Sequence, residues 1–180
     1  MYEMESIFAV MDGVGVRRFH THRTLHQQTV GEHGASVCLL LYLMTRGACR
    51  KELFVAALLD DLAEYYTGDI PSPFKRSVPG LRDRVHDVGD IWLADRGLVP
   101  PQLTEQERGL LKLADSMDGL LFCAREVEIG NRKMLAVGDT FLGYVSELLQ
   151  GNLSEHRHFA ENVIRIWNRA ARTPAPKNGS

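Results

Sequence analysis

Acidic and imidazole side chains recur at three places in this 180-residue chain. The first is a histidine-rich stretch holding His20, His22, His26 and His33, four of the seven histidines. His33 differs from the rest because Thr29 and Glu32 form a Thr-x-x-Glu capping box just before it. That places it in the first turns of a helix, and the small residues Gly34, Ala35 and Ser36 let another backbone approach there. The second place is Asp60-Asp61 with Glu64. The pair follows the apolar run Ala56-Ala57-Leu58-Leu59 and should enter a core. Two adjacent carboxylates repel each other and resist desolvation, so they call for a cation, either a metal ion or Arg/Lys. Glu64, three and four residues on, projects near the same side of the helix. The third place is Asp115, within Leu113-Ala114-Asp115-Ser116-Met117. Singly, these groups read as core-edge histidines, a solvated acidic helix end and a hydrogen-bonded buried aspartate. Together they give an imidazole plus carboxylates on three helices, a mixed donor set suited to a divalent first-row metal.

Helices are the elements that must position them. Apolar residues recur at 3 and 4 spacing, strand-like alternation is absent, and Gly/Pro clusters punctuate the chain. Helices are predicted over about 3–11, 29–46, 51–66, 80–97, 104–128, 138–150 and 155–171. Gly13 and Gly15 break the first, a polar loop follows to about Gln28, and Thr67-Gly68-Asp69-Ile70-Pro71-Ser72-Pro73 ends the third. Thr104 and Glu107 form a second capping box. The reading is a single all-α domain of six or seven helices over 1–172, with a flexible C-terminal tail over 173–180.

Composition sets the outer limits. Hydrophobic residues make up 44% and charged residues 24%, the profile of an ordinary globular protein. Net charge is −2, which disfavours a broad nucleic-acid surface and leaves room for a small anionic ligand met by a local Arg/Lys cluster. No apolar run reaches the ~18 residues of a membrane span. Glu3 and Glu5 stand where a signal peptide carries basic residues, so a cytoplasmic location is expected. The three cysteines, Cys38, Cys49 and Cys123, have no CxxC spacing and read as reduced thiols.

The order His33, Asp60-Asp61, Asp115 resembles the HD-domain metal-dependent phosphohydrolases, in which a His, a His-Asp doublet and a distant Asp hold the metal. The likeness is closer to the small 5′-deoxynucleotidases and the phage-encoded dATP triphosphohydrolases. It is carried by Arg18-Phe19, by Gln28-Thr29-Val30-Gly31-Glu32-His33, by Glu64 with the Thr67–Lys75 segment, and by Leu113-Ala114-Asp115. One position departs from the pattern: this chain has Asp60 where the family has histidine.

The resemblance implies roles residue by residue. His33, Asp60, Asp61 and Asp115 hold a divalent ion (Co, Mn, Zn or Mg), which activates water against a phosphate. Glu64 moves a proton. Arg18 pairs with phosphate, and Asp69 accepts a hydrogen bond from the sugar 3′-hydroxyl. Phe19, His20 and His22 flank the base. Lys75, with Arg76, Arg23 or Lys112, meets additional phosphates. The expected activity is hydrolysis of dATP or other dNTPs to deoxynucleoside and triphosphate, with dNMP hydrolysis as the alternative. A homo-oligomer in the cytoplasm, of the host if phage-encoded, is implied, with no stable nucleic-acid or membrane partner. Asp60 motivates a different reading, a nucleotide-binding protein with impaired turnover. A purely structural helical protein leaves the four carboxylates unexplained.

Overall fold

The computed structural model describes residues 4–173. Among them lie nine α-helices: α1 (Met4–Val14), α2 (Val30–Thr45), α3 (Lys51–Leu59), α4 (Glu64–Thr67), α5 (Ser72–Ser77), α6 (Leu81–Ala94), α7 (Glu105–Glu128), α8 (Leu135–Leu148) and α9 (Arg157–Arg172). Sheet-type pairing among the described residues is limited to one antiparallel bridge between Arg17 and Thr29. The all-α reading holds. The additional helices are short. The expected third helix divides into α3 and α4, and the breaker-rich segment after Gly68 folds into α5, whose Pro71 and Pro73 sit at a helix start, where proline is tolerated. No described helix is long and apolar enough to cross a membrane. The expected tail falls on residues 174–180, outside the described residues, apart from Thr173, whose amide bonds the Arg169 carbonyl.

Two compact units are distinguished. The first lies within Met1–Arg23, Gln27–Ala35 and Lys51–Gln102, and the second within Thr24–His26, Ser36–Arg50 and Leu103–Ser180. The first is built on Leu62, Ala63, Trp92 and Leu93, with Ala9, Val10, Leu59 and Leu98 packed against them. Helix α1 runs through Gly13 rather than stopping before it, because the missing side chain is needed: a Cβ there would stand 2.8 Å from Leu62 Cδ1 and 3.0 Å from Leu62 O. Gly89 serves the same purpose on α6, where a Cβ would come within 3.1 Å of the Ala63 Cβ.

The second unit packs α7 against α8 and α9. Leu113, Met117 and Leu120 of α7, Val145 of α8 and Trp167 of α9 are buried together with Val37 and Leu41 of α2. The capping box of α7 forms as expected: Thr104 Oγ1 accepts from Glu107 N at 3.2 Å, and Glu107 Oε2 accepts from Thr104 N at 2.8 Å. All three cysteines are free thiols. Burial pushes the Cys123 thiol up to about 12, which makes it inert.

Candidate active site

The segment between α3 and α4 decides which carboxylates face one another. Its backbone bonds run from each residue to the third before it: Leu62 N to Leu59 O, Glu64 N to Asp61 O, Tyr65 N to Leu62 O and Tyr66 N to Ala63 O. With three residues per turn, positions three apart eclipse. Asp61 and Glu64 therefore share one side; Leu62 and Ala63 are buried in the core, and Asp60 is left outside it. Asp60 is exposed, which corrects the expectation that both members of the doublet enter the core together. The apolar run before it ends in a tight turn that a sequence read at helical period does not register.

The polar loop after α1 closes onto the start of α2. Arg18 N donates to Gln28 O at 2.9 Å and Val30 N to Val16 O at 2.8 Å, on either side of the Arg17–Thr29 bridge. The Thr29–Glu32 capping box forms, with Thr29 N on Glu32 Oε2 at 2.8 Å and Glu32 N on Thr29 Oγ1 at 3.2 Å. The loop carries Arg18 to Asp61, where Nη1 donates to Oδ2. His33, 4% exposed, places Nε2 3.5 Å from the same oxygen. The Arg18 guanidinium thus meets Asp61, the partly buried member of the doublet.

Glu64 stands among these charges. Its pKa is pushed up to about 8, first by burial and then by the Asp61 and Asp69 carboxylates, against the opposing pull of Arg18 and Lys75. Oε2 of Glu64 is buried without a hydrogen-bond partner, an expensive state for a carboxyl that something else must satisfy when the site works. Asp69 lies just past α4, beyond Gly68 at φ 73°, and its Oδ2 is 3.2 Å from His20 Nδ1. His20 thus stands beside Asp69. The Arg18 guanidinium sits 5.9 Å from the centre of the Phe19 ring. His22 is exposed, and its amide donates to Phe19 O at 2.8 Å. Lys75 is partly buried on α5, while Arg76, Arg23 and Lys112 are exposed.

The first unit thus brings together Arg18, His20, His33, Asp61, Glu64, Asp69 and Lys75. Asp115 belongs to the second unit, partly buried on α7. As metal donors, His33 and Asp61 fit: an imidazole nitrogen and a carboxylate oxygen 3.5 Å apart are spaced as two ligands of one ion. Among the described residues no larger cluster of His, Cys, Asp or Glu side chains suited to an ion is present.

Glu126 is a residue that sequence reasoning missed. It is fully buried at the end of α7, where its two oxygens accept from the amides of Leu25 and His26 at 2.7 Å and from Asn131 Nδ2 at 2.7 Å. The signal was present: a carboxylate three residues after Cys123 and next to Val127 lies on the apolar face of that helix.

Comparison with known proteins points the same way. The model of the YfbR-like 5′-deoxynucleotidase family matches residues 8–166. A 5′-deoxynucleotidase of Enterobacter sp. (strain 638) is 24% identical over 144 residues, covering 67% of this chain and 71% of the relative. The 5′-deoxynucleotidase YfbR of Escherichia coli is 23% identical over the same shares. Among solved structures, the cyanophage S-2L HD phosphohydrolase DatZ, bound to dA and one catalytic Zn²⁺ ion, superposes with a TM-score of 0.73 at 19% identity over 94% of this chain and 98% of its own. An HD-domain phosphohydrolase from Listeria innocua gives a TM-score of 0.71 at 16% identity over 93% and 90%. These two share the fold of this chain.

Proposed function

The chain belongs to the YfbR-like 5′-deoxynucleotidase family, and on that premise we propose that it hydrolyses the 5′-phosphate ester of a deoxynucleotide at the site built around Asp61 and Glu64. The observation that carries this reading is the Glu64 carboxyl. It is held protonated near neutrality and lacks a partner for Oε2, beside an Asp61–His33 pair and within the field of two cations. His33 and Asp61, with Asp60 as a further ligand, would hold a divalent ion, which would supply Lewis-acid activation of phosphate and water. Arg18 exchanges Asp61 for a phosphate oxygen, using its fork of donors. Lys75 adds positive charge on the phosphate side. Glu64, carrying a proton at pH 7, delivers it to the leaving 5′-oxygen as that bond breaks. Asp69 accepts from the sugar hydroxyl, and Phe19 and His22 border the nucleoside.

Family membership and the curated relatives support a 5′-monophosphate substrate. A triphosphate substrate, released as intact triphosphate, is favoured by a different observation: Lys75 and Arg76 are consecutive on α5, and Arg23 is exposed on the loop that carries Arg18. The inorganic product decides. A panel of dNMPs, dNTPs and ribonucleotides is incubated with Mn²⁺, Co²⁺, Zn²⁺ or Mg²⁺, and products are weighed by mass spectrometry. Orthophosphate from dNMPs supports the first reading, and triphosphate from dNTPs the second. Nucleotide binding with no release from either would leave a binding protein.

A further inference from the structure

His20 and Asp69 are far apart in sequence and meet at the rim of the first unit's site, with the imidazole Nδ1 3.2 Å from the carboxylate Oδ2. The backbone on both sides of this contact is held in unusual conformations. His20 follows Phe19, which has φ 55°, a left-handed conformation that an aromatic residue rarely adopts. Asp69 follows Gly68 at φ 73°. The Phe19 carbonyl accepts from His22 N at 2.8 Å, so His20 is a corner residue of a tight turn. Gly68 N bonds Glu64 O at 2.8 Å, which closes α4, and Ile70 on the other side is held extended by the proline after it. The left-handed Phe19 is the strained position of this contact, and strain held in a non-glycine residue beside ionisable groups is consistent with a functional constraint.

With both backbones fixed, the freedom left to Asp69 is rotation of its carboxylate, a broad, two-fold torsion. A ring N–H on Oδ2 removes that freedom and leaves Oδ1 to accept from a ligand. An ionised carboxylate is acceptor-only, so the ligand group must be a donor. Next to Glu64, whose pKa the Asp69 charge raises, a phosphate oxygen is repelled and a sugar hydroxyl is the fitting donor. The Asp69 side chain is 21% exposed and the His20 ring 46%, so a ligand can reach the carboxylate.

We propose that His20 is a positioning residue that orients the Asp69 carboxylate toward a nucleoside hydroxyl, so that discrimination for a 3′-hydroxyl depends on the pair rather than on Asp69 alone. This rests on the deoxynucleotide reading above, and its test separates the two. Wild-type protein with its metal, His20→Ala, His20→Asn, Asp69→Asn and the double variant His20→Ala/Asp69→Asn are titrated calorimetrically with thymidine and 3′-deoxythymidine, neither of which is hydrolysable. Values of kcat and KM are measured on the two 5′-monophosphates.

Wild type should prefer the 3′-hydroxyl by about 10- to 100-fold, since a site built to bond a hydroxyl rejects its absence. His20→Ala should lose most of that preference through KM, with affinity for the 3′-deoxy compounds unchanged. His20→Asn, which keeps a donor near Nδ1, should retain most of it. The double variant should match Asp69→Asn alone. Equal losses on both ligands in His20→Ala, an intact preference, or no preference in wild type would each overturn the proposal. An intact preference in Asp69→Asn would overturn the reading of Asp69 itself and His20's role with it. Loss of preference in Asp69→Asn alone, with His20→Ala unaffected, would keep Asp69 and remove His20.

Discussion

His33 Nε2 stands 3.5 Å from Asp61 Oδ2, and the Arg18 guanidinium bonds the same oxygen. Two ligands of one tetrahedral ion, each ~2.0–2.2 Å from it, lie ~3.3–3.6 Å apart. The pair is spaced for an ion while its carboxylate is neutralised by arginine. On the proposed reading, a divalent ion at this pair would compete with Arg18 for one oxygen and would leave the guanidinium available to a phosphate, coupling the two through Asp61.

On the proposed reading, Asp60 would set how firmly the ion stays. It lies outside the eclipsed pair Asp61/Glu64 and is exposed, and a carboxylate has a shorter reach than an imidazole. Asp60→His should raise metal retention by about 10- to 100-fold and raise turnover with it. Asp60→Ala should raise neither. Metal content after dialysis, measured together with activity on dAMP and dATP, checks this. Equal retention and turnover in wild type and Asp60→His would make Asp60 a competent native ligand.

Glu64→Gln keeps the size and removes the titrating proton. Turnover should fall on the order of 10²-fold, with nucleotide affinity retained. Wild-type kcat should fall as pH rises through about 8, where Glu64 loses its proton, and the variant should lack that alkaline limb. An unchanged rate would take Glu64 out of the chemistry.

Much of this site can be read from residue types. Both capping boxes, the α7 span and the helical settings of His33 and Asp61 follow from local patterns, because caps are set by nearest neighbours, whereas Arg18 and Asp69 are indicated by the family resemblance alone. The exposure of Asp60 is not local in that sense. It accompanies the turn over Asp60–Ala63, in which Leu62 and Ala63 pack against α1 and α6. Gly13 misled for the same reason: in sequence it is a breaker, and in the fold it is a contact surface. The Arg18–Asp61 and His20–Asp69 pairs join residues far apart in the chain, which no periodicity announces.

Gly13 offers a mechanical handle on that turn. Gly13→Ala sets a methyl against the Leu62 side chain and carbonyl and must displace the turn that carries Asp61. A destabilisation of about 1–3 kcal/mol is expected, with reduced activity even at temperatures where the variant is fully folded. Denaturant melts and kcat measured well below the transition check it. A stability loss with full activity would show that Asp61 and Glu64 tolerate the shift.

Glu126 should behave as a structural carboxylate. Glu126→Ala strands the Leu25 and His26 amides that now donate to it at 2.7 Å, at a cost of about 2–4 kcal/mol. Glu126→Gln keeps one acceptor and should cost less. Faster amide exchange at Leu25 and His26 in the alanine variant is the direct readout. Unchanged protection there would mean that other contacts hold the segment.

The Arg50–Glu107 pair gives a pH signature far from the site. Two bonds of 2.7 and 2.8 Å tie the guanidinium to both oxygens of the α7 capping glutamate. The Arg50 bond and then the Thr104 amide bring the Glu107 carboxyl from 4.5 down to about 2. A carboxyl depressed in the folded state adds stability that is present in full above its unfolded pKa and is lost as pH falls through the folded value. Relative to Glu107→Gln, which keeps an acceptor without the charge, wild type should therefore melt about 2–4 °C higher above pH 5. The gap should close between pH 5 and pH 2. Salt should narrow it, because Arg50 is half exposed. Arg50→Ala should move the loss to higher pH, since the largest cause of the depression is gone. Melting curves from pH 2 to 7 at two ionic strengths provide the check. Parallel curves for wild type and Glu107→Gln would show that the pair is a surface contact without consequence for α7.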